Sequence, residues 1–341
     1  MRVLVTGHLG YIGSVLTPLL TAAGHEVTGL DTGFFEPCLL GPAPAEVPSL
    51  KVDLRDVEPE HCAGFDAVLH LAALSNDPLG NLAPQITYDI NQHASVRLAA
   101  AAKAAGVRRF LFSSSCSLYG AGGEAPVTED APFYPVTPYG ESKVLAEQEI
   151  SKLASADFVP VYLRNATAYG LSPRLRGDIV VNNLVAHAVT TGKVLLQSDG
   201  TPWRPLVHVE DISRAFVALL DAEEDLVRDR AYNIGLTSEN YRIREVAELV
   251  GAAVEGSVVS FAEGASSDKR DYRVDCERIA AEIPGFQPQW TVPKGIAQLV
   301  AAYREHGLTA EEFAGVKFQR IARIRELLDA GLLGTDLRYV S

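Results

Sequence analysis

Along the first half of the chain, short apolar runs alternate with longer segments of helix-forming composition. The runs are Arg2-Val3-Leu4-Val5-Thr6, Glu26-Val27-Thr28-Gly29-Leu30, Lys51-Val52-Asp53-Leu54, Ala67-Val68-Leu69-His70-Leu71, Arg109-Phe110-Leu111-Phe112-Ser113 and Val159-Pro160-Val161-Tyr162-Leu163. Their Val, Leu and Phe content, broken by turn residues, reads as strands. Residues 12–23, 84–105 and 138–154 read as helices; the second is alanine-rich, and the third has Pro138 at its start, where a helix tolerates it. Strands alternating with helices predict parallel βαβ units with right-handed crossovers, hence an α/β, doubly wound sheet.

After Gly170 the pattern loosens. Strand and helix signals mix, punctuated by Pro173, Pro202, Pro205, Pro284, Pro288 and Pro293. A smaller, mixed α/β domain is expected over residues 171–341, with about 206–232 packing back on the first sheet. The stretch 311–333 carries Phe313, Val316, Ile321, Ile324 and Leu328 at helical spacing. It reads as one helix docking on its own chain or on a sister subunit.

Composition narrows the partners. The net charge of −13 would repel a phosphodiester backbone, which argues against nucleic acid; local arginines can still hold a small anion. No apolar run approaches the ~20 residues that span a bilayer. The first residues lack a charged region with a cleavage site, so export is not expected. Cys38, Cys62, Cys116 and Cys276 are scattered without metal spacing; a reduced cytoplasm fits, and no metal site is expected.

The glycine loop Gly7-His8-Leu9-Gly10-Tyr11-Ile12-Gly13 lies between the first strand and first helix, the context of a dinucleotide fingerprint. Gly7 permits a tight turn, Gly10 a close approach to a pyrophosphate, and Gly13 close helix packing. The helix N-terminus then faces the diphosphate. Residues 1–170 therefore read as a dinucleotide-binding Rossmann domain. Asp31 ends the second strand, where a carboxylate can accept from ribose hydroxyls and would repel a 2′-phosphate, so NAD is expected over NADP. Asp53 either holds the adenine amine or caps a turn.

Tyr139 and Lys143 are four residues apart in Tyr139-Gly140-Glu141-Ser142-Lys143, hence on one helical face. A tyrosine has a pKa near ~10, too high for a base at neutral pH. A neighbouring ammonium stabilises the phenolate and lowers that value. Ser115 ends the serine run Ser113-Ser114-Ser115, from which it can donate to a substrate oxygen.

With these residues in order, the chain resembles the extended short-chain dehydrogenase/reductases, specifically the NAD-dependent epimerase/dehydratase group acting on nucleotide sugars. The resemblance covers about residues 1–290. It is also carried by His70-Leu71-Ala72-Ala73, Asn91, residues 113–120 and Arg204-Pro205-Leu206-Val207-His208-Val209-Glu210-Asp211. It implies catalytic Ser115, Tyr139 and Lys143. It implies an NAD site lined by Gly7, Gly10, Tyr11, Ile12, Gly13, Asp31, Asp53, Leu54, Leu71, Ala72, Ala73, Asn91, Ser113, Tyr139 and Lys143. For a nucleotide-diphosphate sugar it implies Ser115, Ser117, Thr167, Asn182, Asn183, Leu184, Arg204 and Arg270, the last in Asp268-Lys269-Arg270-Asp271. Arginine's fork suits phosphate oxygens, although Arg270 reads equally as a surface ion pair. Relatives pair the helices 84–105 and 138–154 into a four-helix bundle, which implies a homodimer.

Departures from the family pattern narrow the reaction. The 4,6-dehydratases carry Asp-Glu directly after the catalytic hydroxyl residue, and the decarboxylases keep a glutamate there; this chain has Cys116 and Ser117. The 3,5-epimerases use a cysteine two positions after the serine, where this chain has Ser117, so Cys116 reads as buried and inert. Thr167 stands where many relatives have asparagine. What remains is a redox kit with NAD, which suits 4-epimerisation through a 4-keto sugar. The rivals are a nucleotide-sugar ketoreductase and a non-catalytic NAD-binding regulator.

Overall fold

Seven parallel strands form the main sheet. They are β1 (Arg2–Thr6), β2 (Glu26–Leu30), β3 (Ser49–Leu50), β4 (Ala67–His70), β5 (Arg109–Ser115), β6 (Val159–Asn165) and β10 (Arg230–Ile234). Across the sheet they run in the order β3-β2-β1-β4-β5-β6-β10. The computed structural model describes residues 1–75, 84–120, 125–266 and 270–340. Strand residues alternate between two buried faces. Val3, Val5, Leu69, Leu111 and Val161 pack under the helices Gly13–Ala22 and Val209–Asp221, against Leu16, Leu20, Ile212 and Phe216. Leu4, Val68, Phe110 and Phe112 pack under Ala94–Ala104 and Pro138–Ser151, against Leu98, Ala102, Ala146 and Ile150. This two-sided burial explains why the strands read as unbroken apolar runs.

The second half adds two smaller sheets. Strand β9 (Trp203–His208) pairs in parallel with β7 (Thr167–Tyr169) and antiparallel with β11 (Asn240–Arg242). Strands β8 (Lys193–Ser198) and β12 (Val258–Ser266) pair in parallel. The helices Val180–Thr191, Ile243–Ala253 and Val292–Glu305 share a core with these sheets, built on Val185, Val246, Ile296 and Tyr303. The helix Val209–Asp221 returns to the main sheet, and β10 becomes its edge strand beside β6.

Three local expectations need correction. The third strand lies at Ser49–Leu50, ahead of the expected 51–54. Asp53 instead caps a short 3₁₀ turn, Leu54–Asp56, accepting from Arg55 N at 2.9 Å. A side chain that bonds its own backbone competes with the sheet ladder, and it won here at the sheet edge. The helix expected over 84–105 is Pro84–Tyr88, a π-helical turn at Asp89–His93, then Ala94–Ala104. The tail expected as one helix over 311–333 is two, Ala310–Ala314 and Arg320–Asp329, with Gly315 ending the first and Val316 exposed. Both dock on their own chain: Phe313 enters the second core, while Ile324 and Leu327 pack with Phe34 and Leu74.

Candidate active site

The chain reverses direction across the sheet at β1, which has β2 on one side and β4 on the other. In doubly wound sheets a ligand crevice opens at the carboxyl ends of such strands. A cleft of about 800 Å³ lies there, walled on its far side by residues of the second half.

Its floor is the glycine loop. Gly7 has φ 73°, a left-handed conformation, and its N–H donates to Leu30 O at 2.8 Å. A Cβ on Gly7 would stand 2.7 Å from Ala72 N; on Gly10 it would be 3.0 Å from Gly7 O, and on Gly13 2.4 Å from the same atom. The cradle therefore has no room for side chains, which leaves its backbone open to a ligand. No side chain caps the first turn of Gly13–Ala22 at Ile12. Its N–H groups and positive dipole end suit a diphosphate.

Asp31 lines the cleft at the end of β2 and accepts from Gly33 N at 2.9 Å and Leu9 N at 3.1 Å. Burial pushes its carboxyl pKa up, against the pull of these bonds and of nearby His8. Each oxygen accepts from a backbone N–H, which fixes the orientation of the carboxylate. At Asp53 burial raises the pKa, but bonds from Arg55, including 2.9 Å from Nε and 2.6 Å from Nη2, hold the carboxyl below its ordinary range. Leu54, Leu71, Ala72 and Ala73 complete this side, with Tyr11 and Ile12 on the loop itself. These features fit NAD.

Thr137 caps the helix Pro138–Ser151, accepting from Gly140 N at 3.2 Å. This sets Tyr139 in the first turn and Lys143 one turn later, both lining the cleft. Lys143 Nζ donates to Ser113 O at 2.8 Å, lies 4.5 Å from the Phe112 ring centroid and 5.9 Å from that of Tyr139. Burial brings its pKa down to about 7, opposed by Glu147. One turn on, Glu147 pairs with Arg164 of β6 at 2.7 Å; both are buried, and the pair ties the helix to the sheet. Ser115 Oγ donates to Ser117 Oγ at 3.0 Å and accepts from Ser117 N at 3.1 Å. Cys116 is fully buried with Sγ 3.1 Å from Arg164 O; burial pushes the thiol pKa well up, so it carries no thiolate.

At the other end lie Thr167, Asn183, Leu184, Arg204 and Arg270. Asn183 Nδ2 donates to Gly177 O at 2.9 Å. Arg204 Nη1 donates to Trp203 O at 2.7 Å and to the carbonyl of Arg270, so the two arginines are joined through backbone. Asp268 and Lys269, which precede Arg270 in sequence, lie outside the described residues.

Two expected residues stand behind the wall of the cleft. Asn91, in the π turn, is fully buried; its Oδ1 accepts from Leu74 N at 2.8 Å and its Nδ2 donates to Leu74 O at 3.0 Å. It pins the segment that carries Ala72 and Ala73. Asn182 is spent on the backbone of Gly170 and Arg176, including 2.9 Å from Gly170 N.

Sequence reasoning missed Asn165, Arg176, Tyr272 and Arg320, all lining the cleft. Asn165 pairs in register with Ser115 across β5 and β6, and its Nδ2 donates to Ser113 Oγ at 3.0 Å. Its Oδ1 is buried without a hydrogen-bond partner among the described residues. Only the strand pairing reveals it. Arg176 pairs with Asp178 at 2.9 Å in a loop with no motif signal.

A glycine cradle, an acid-ended second strand and a Ser–Tyr–Lys set on one cleft define an NAD-dependent enzyme of the extended short-chain dehydrogenase/reductase class. Residues 3–235 match the NAD dependent epimerase/dehydratase family, and the chain belongs to it. The UDP-glucose 4-epimerase of Mycolicibacterium smegmatis is 31% identical over 313 residues, spanning 89% of this chain and 99% of its own. That of Neisseria meningitidis serogroup A is 30% identical over 334 residues, 88% and 95% of the two chains. Among solved structures, the Thermus thermophilus UDP-glucose 4-epimerase with NAD superimposes with a TM-score of 0.74 at 27% identity, covering 89% of this chain and 99% of that one. MoeE5 with UDP-glucuronic acid and NAD gives 0.77 at 27%, with the same coverage.

Proposed function

We propose that the chain interconverts nucleotide-diphosphate sugars epimeric at C4, through a transient 4-keto sugar. The observation that carries this reading is the convergence of Ser115, Tyr139 and Lys143 on one cleft, where Cys116 and Ser117 occupy the positions at which elimination would need carboxylates. NAD, when bound, supplies the two-electron chemistry of the alcohol–ketone interconversion. Tyr139 accepts the C4 hydroxyl proton and returns it. The Lys143 ammonium favours the phenolate and reaches the nicotinamide ribose. Ser115 keeps the bond it accepts from Ser117 N and turns its one hydroxyl proton from Ser117 Oγ to the same substrate oxygen. Gly7, Gly10, Gly13 and Asp31 bind the dinucleotide, in residues 1–170. Asn183, Arg204 and Arg270 anchor the nucleotide diphosphate from residues 171–341 while the sugar turns. Relatives bearing the name UDP-glucose 4-epimerase support this reading.

A substrate deuterated at C4 should keep its label in the product, with no metal and no added reductant, and the reaction should run from either epimer. Label lost to solvent, or a stoichiometric demand for NADH or NADPH, would overturn the epimerase reading. A screen of nucleotide sugars by NMR identifies the base and sugar.

The same reading includes a homodimer in the cytoplasm. The helices Ala94–Ala104 and Pro138–Ser151 lie side by side, joined at their flanks by Gln92–Glu149 at 2.7 Å and by Lys103 Nζ to Leu153 O at 2.7 Å. Val96 and Leu145 on them are only partly buried, which suits a self-complementary two-fold contact. Four buried free cysteines suit a reducing compartment. A monomer mass by light scattering at micromolar concentration would reject the dimer.

A further inference from the structure

The chain beyond residue 310 folds over the β2 side of the cleft. The helix Arg320–Asp329 sets Ile324 and Leu327 against Phe34 and Leu74, and Leu333 and Leu337 join them. The last residues return beside the loops that carry Asp31 and Asp53. The Tyr339 ring lies 5.4 Å from that of Phe34, and Arg55 Nη1 donates to Asp336 O at 2.7 Å. The first residue of that helix, Arg320, lines the cleft and is 4% exposed.

Arg320 is an incompletely satisfied buried cation. Its Nη2 donates to Arg174 O at 3.0 Å, and its guanidinium carbon lies 4.2 Å from the Phe35 ring centroid. Its Nη1 is buried with no hydrogen-bond partner among the described residues. Burial lowers its pKa to about 10, and Arg176 and Arg174 add like charge, only partly offset by Asp178. A buried guanidinium with an open donor is costly unless an anion completes it. Its charge also acts on Tyr11 of the glycine loop, whose phenol is otherwise raised by burial. An anion lying between the loop and the tail would complete it.

We propose that Arg320 receives the diphosphate of NAD, and that residues 320–340 form a built-in clasp over the adenosine half of the cofactor. The segment falls outside residues 3–235, which carry the family match. The inference rests on NAD lying along Gly7, Gly10 and Gly13 with Asp31 at its ribose.

Calorimetric titrations of Arg320→Met, which keeps an apolar stem, with NAD, ADP-ribose, adenosine and UDP test it. A lost charge-assisted bond should weaken NAD and ADP-ribose by roughly ten- to a hundredfold. Adenosine and UDP should bind as to the parent. Unchanged ADP-ribose affinity, an equal loss for adenosine, or a loss confined to UDP would each overturn the proposal. If Arg320→Met does not fold, Arg320→Gln keeps a donor without the charge, and it should still lose ADP-ribose selectively; unchanged affinity there is equally fatal. Asp31→Ala run alongside separates two failures. NAD weakened by Asp31→Ala and untouched by Arg320→Met would remove only the role of Arg320. NAD untouched by both would remove the placement of the cofactor itself.

Discussion

The Lys143 ammonium donates to the carbonyl oxygen of Ser113 at 2.8 Å, so a helix side chain is bolted to the end of β5 at the level where the serine run begins. The bond fixes the cation beneath Tyr139 without neutralising it. It also leaves Lys143 in a site that resists charge, because burial outweighs the opposing pull of Glu147.

That cost makes stability depend on pH. The Lys143 pKa is about 7 in the fold, against ~10.4 for an unfolded lysine. Between those values the unfolded chain holds a proton that the folded chain has released, so unfolding free energy rises with pH across that window. This contribution is present at high pH and is lost as pH falls towards 7. Lys143→Met abolishes it. In thermal melts without cofactor, the variant should gain on the parent steadily from about pH 10 down to about pH 7 and hold that gain below. Parallel curves for the two proteins would show that Lys143 is not a strained cation.

Tyr139→Phe should cost ~10²–10⁴-fold in turnover, the usual contribution of a general acid–base group. NAD affinity should change little, since only a hydroxyl is lost. Single-turnover rates near those of the parent would remove Tyr139 from the chemistry.

Asp31→Ala should narrow the gap between NAD and NADP. The carboxylate is held by Gly33 N and Leu9 N, so it cannot swing away from a 2′-phosphate. Equal affinities of the parent protein for both cofactors would contradict this.

Arg204→Ala should raise the apparent KM for the nucleotide sugar by roughly ten- to a hundredfold, the worth of a charge-assisted bond. NAD affinity should stay close to that of the parent. A change confined to thermal stability would reduce Arg204 to a tie between Trp203 and Arg270.

Much of the cleft was legible along the chain because its chemistry is local. Gly10 and Gly13 are required by a turn whose own backbone leaves no room for Cβ atoms, and Gly7 by its left-handed φ. Asp31 follows β2 directly, and Tyr139 and Lys143 meet through helical periodicity alone. The main strands were legible because burial on both faces leaves few polar interruptions. The sequence by itself thus determined the doubly wound sheet, the glycine cradle and the Tyr–Lys pair.

Tertiary structure decided the remainder, since contacts between distant segments leave no periodic mark. It withdrew Asn91 to brace Leu74 and Asn182 to brace Gly170, because each amide found buried backbone partners closer than the cleft. It brought Asn165 beside Ser115 through strand register, and it carried Arg320 from the far end of the chain to the β2 side of the cleft. Asn165 and Arg320 each hold a buried polar atom with no partner among the described residues, and only the packing of the folded chain creates that need.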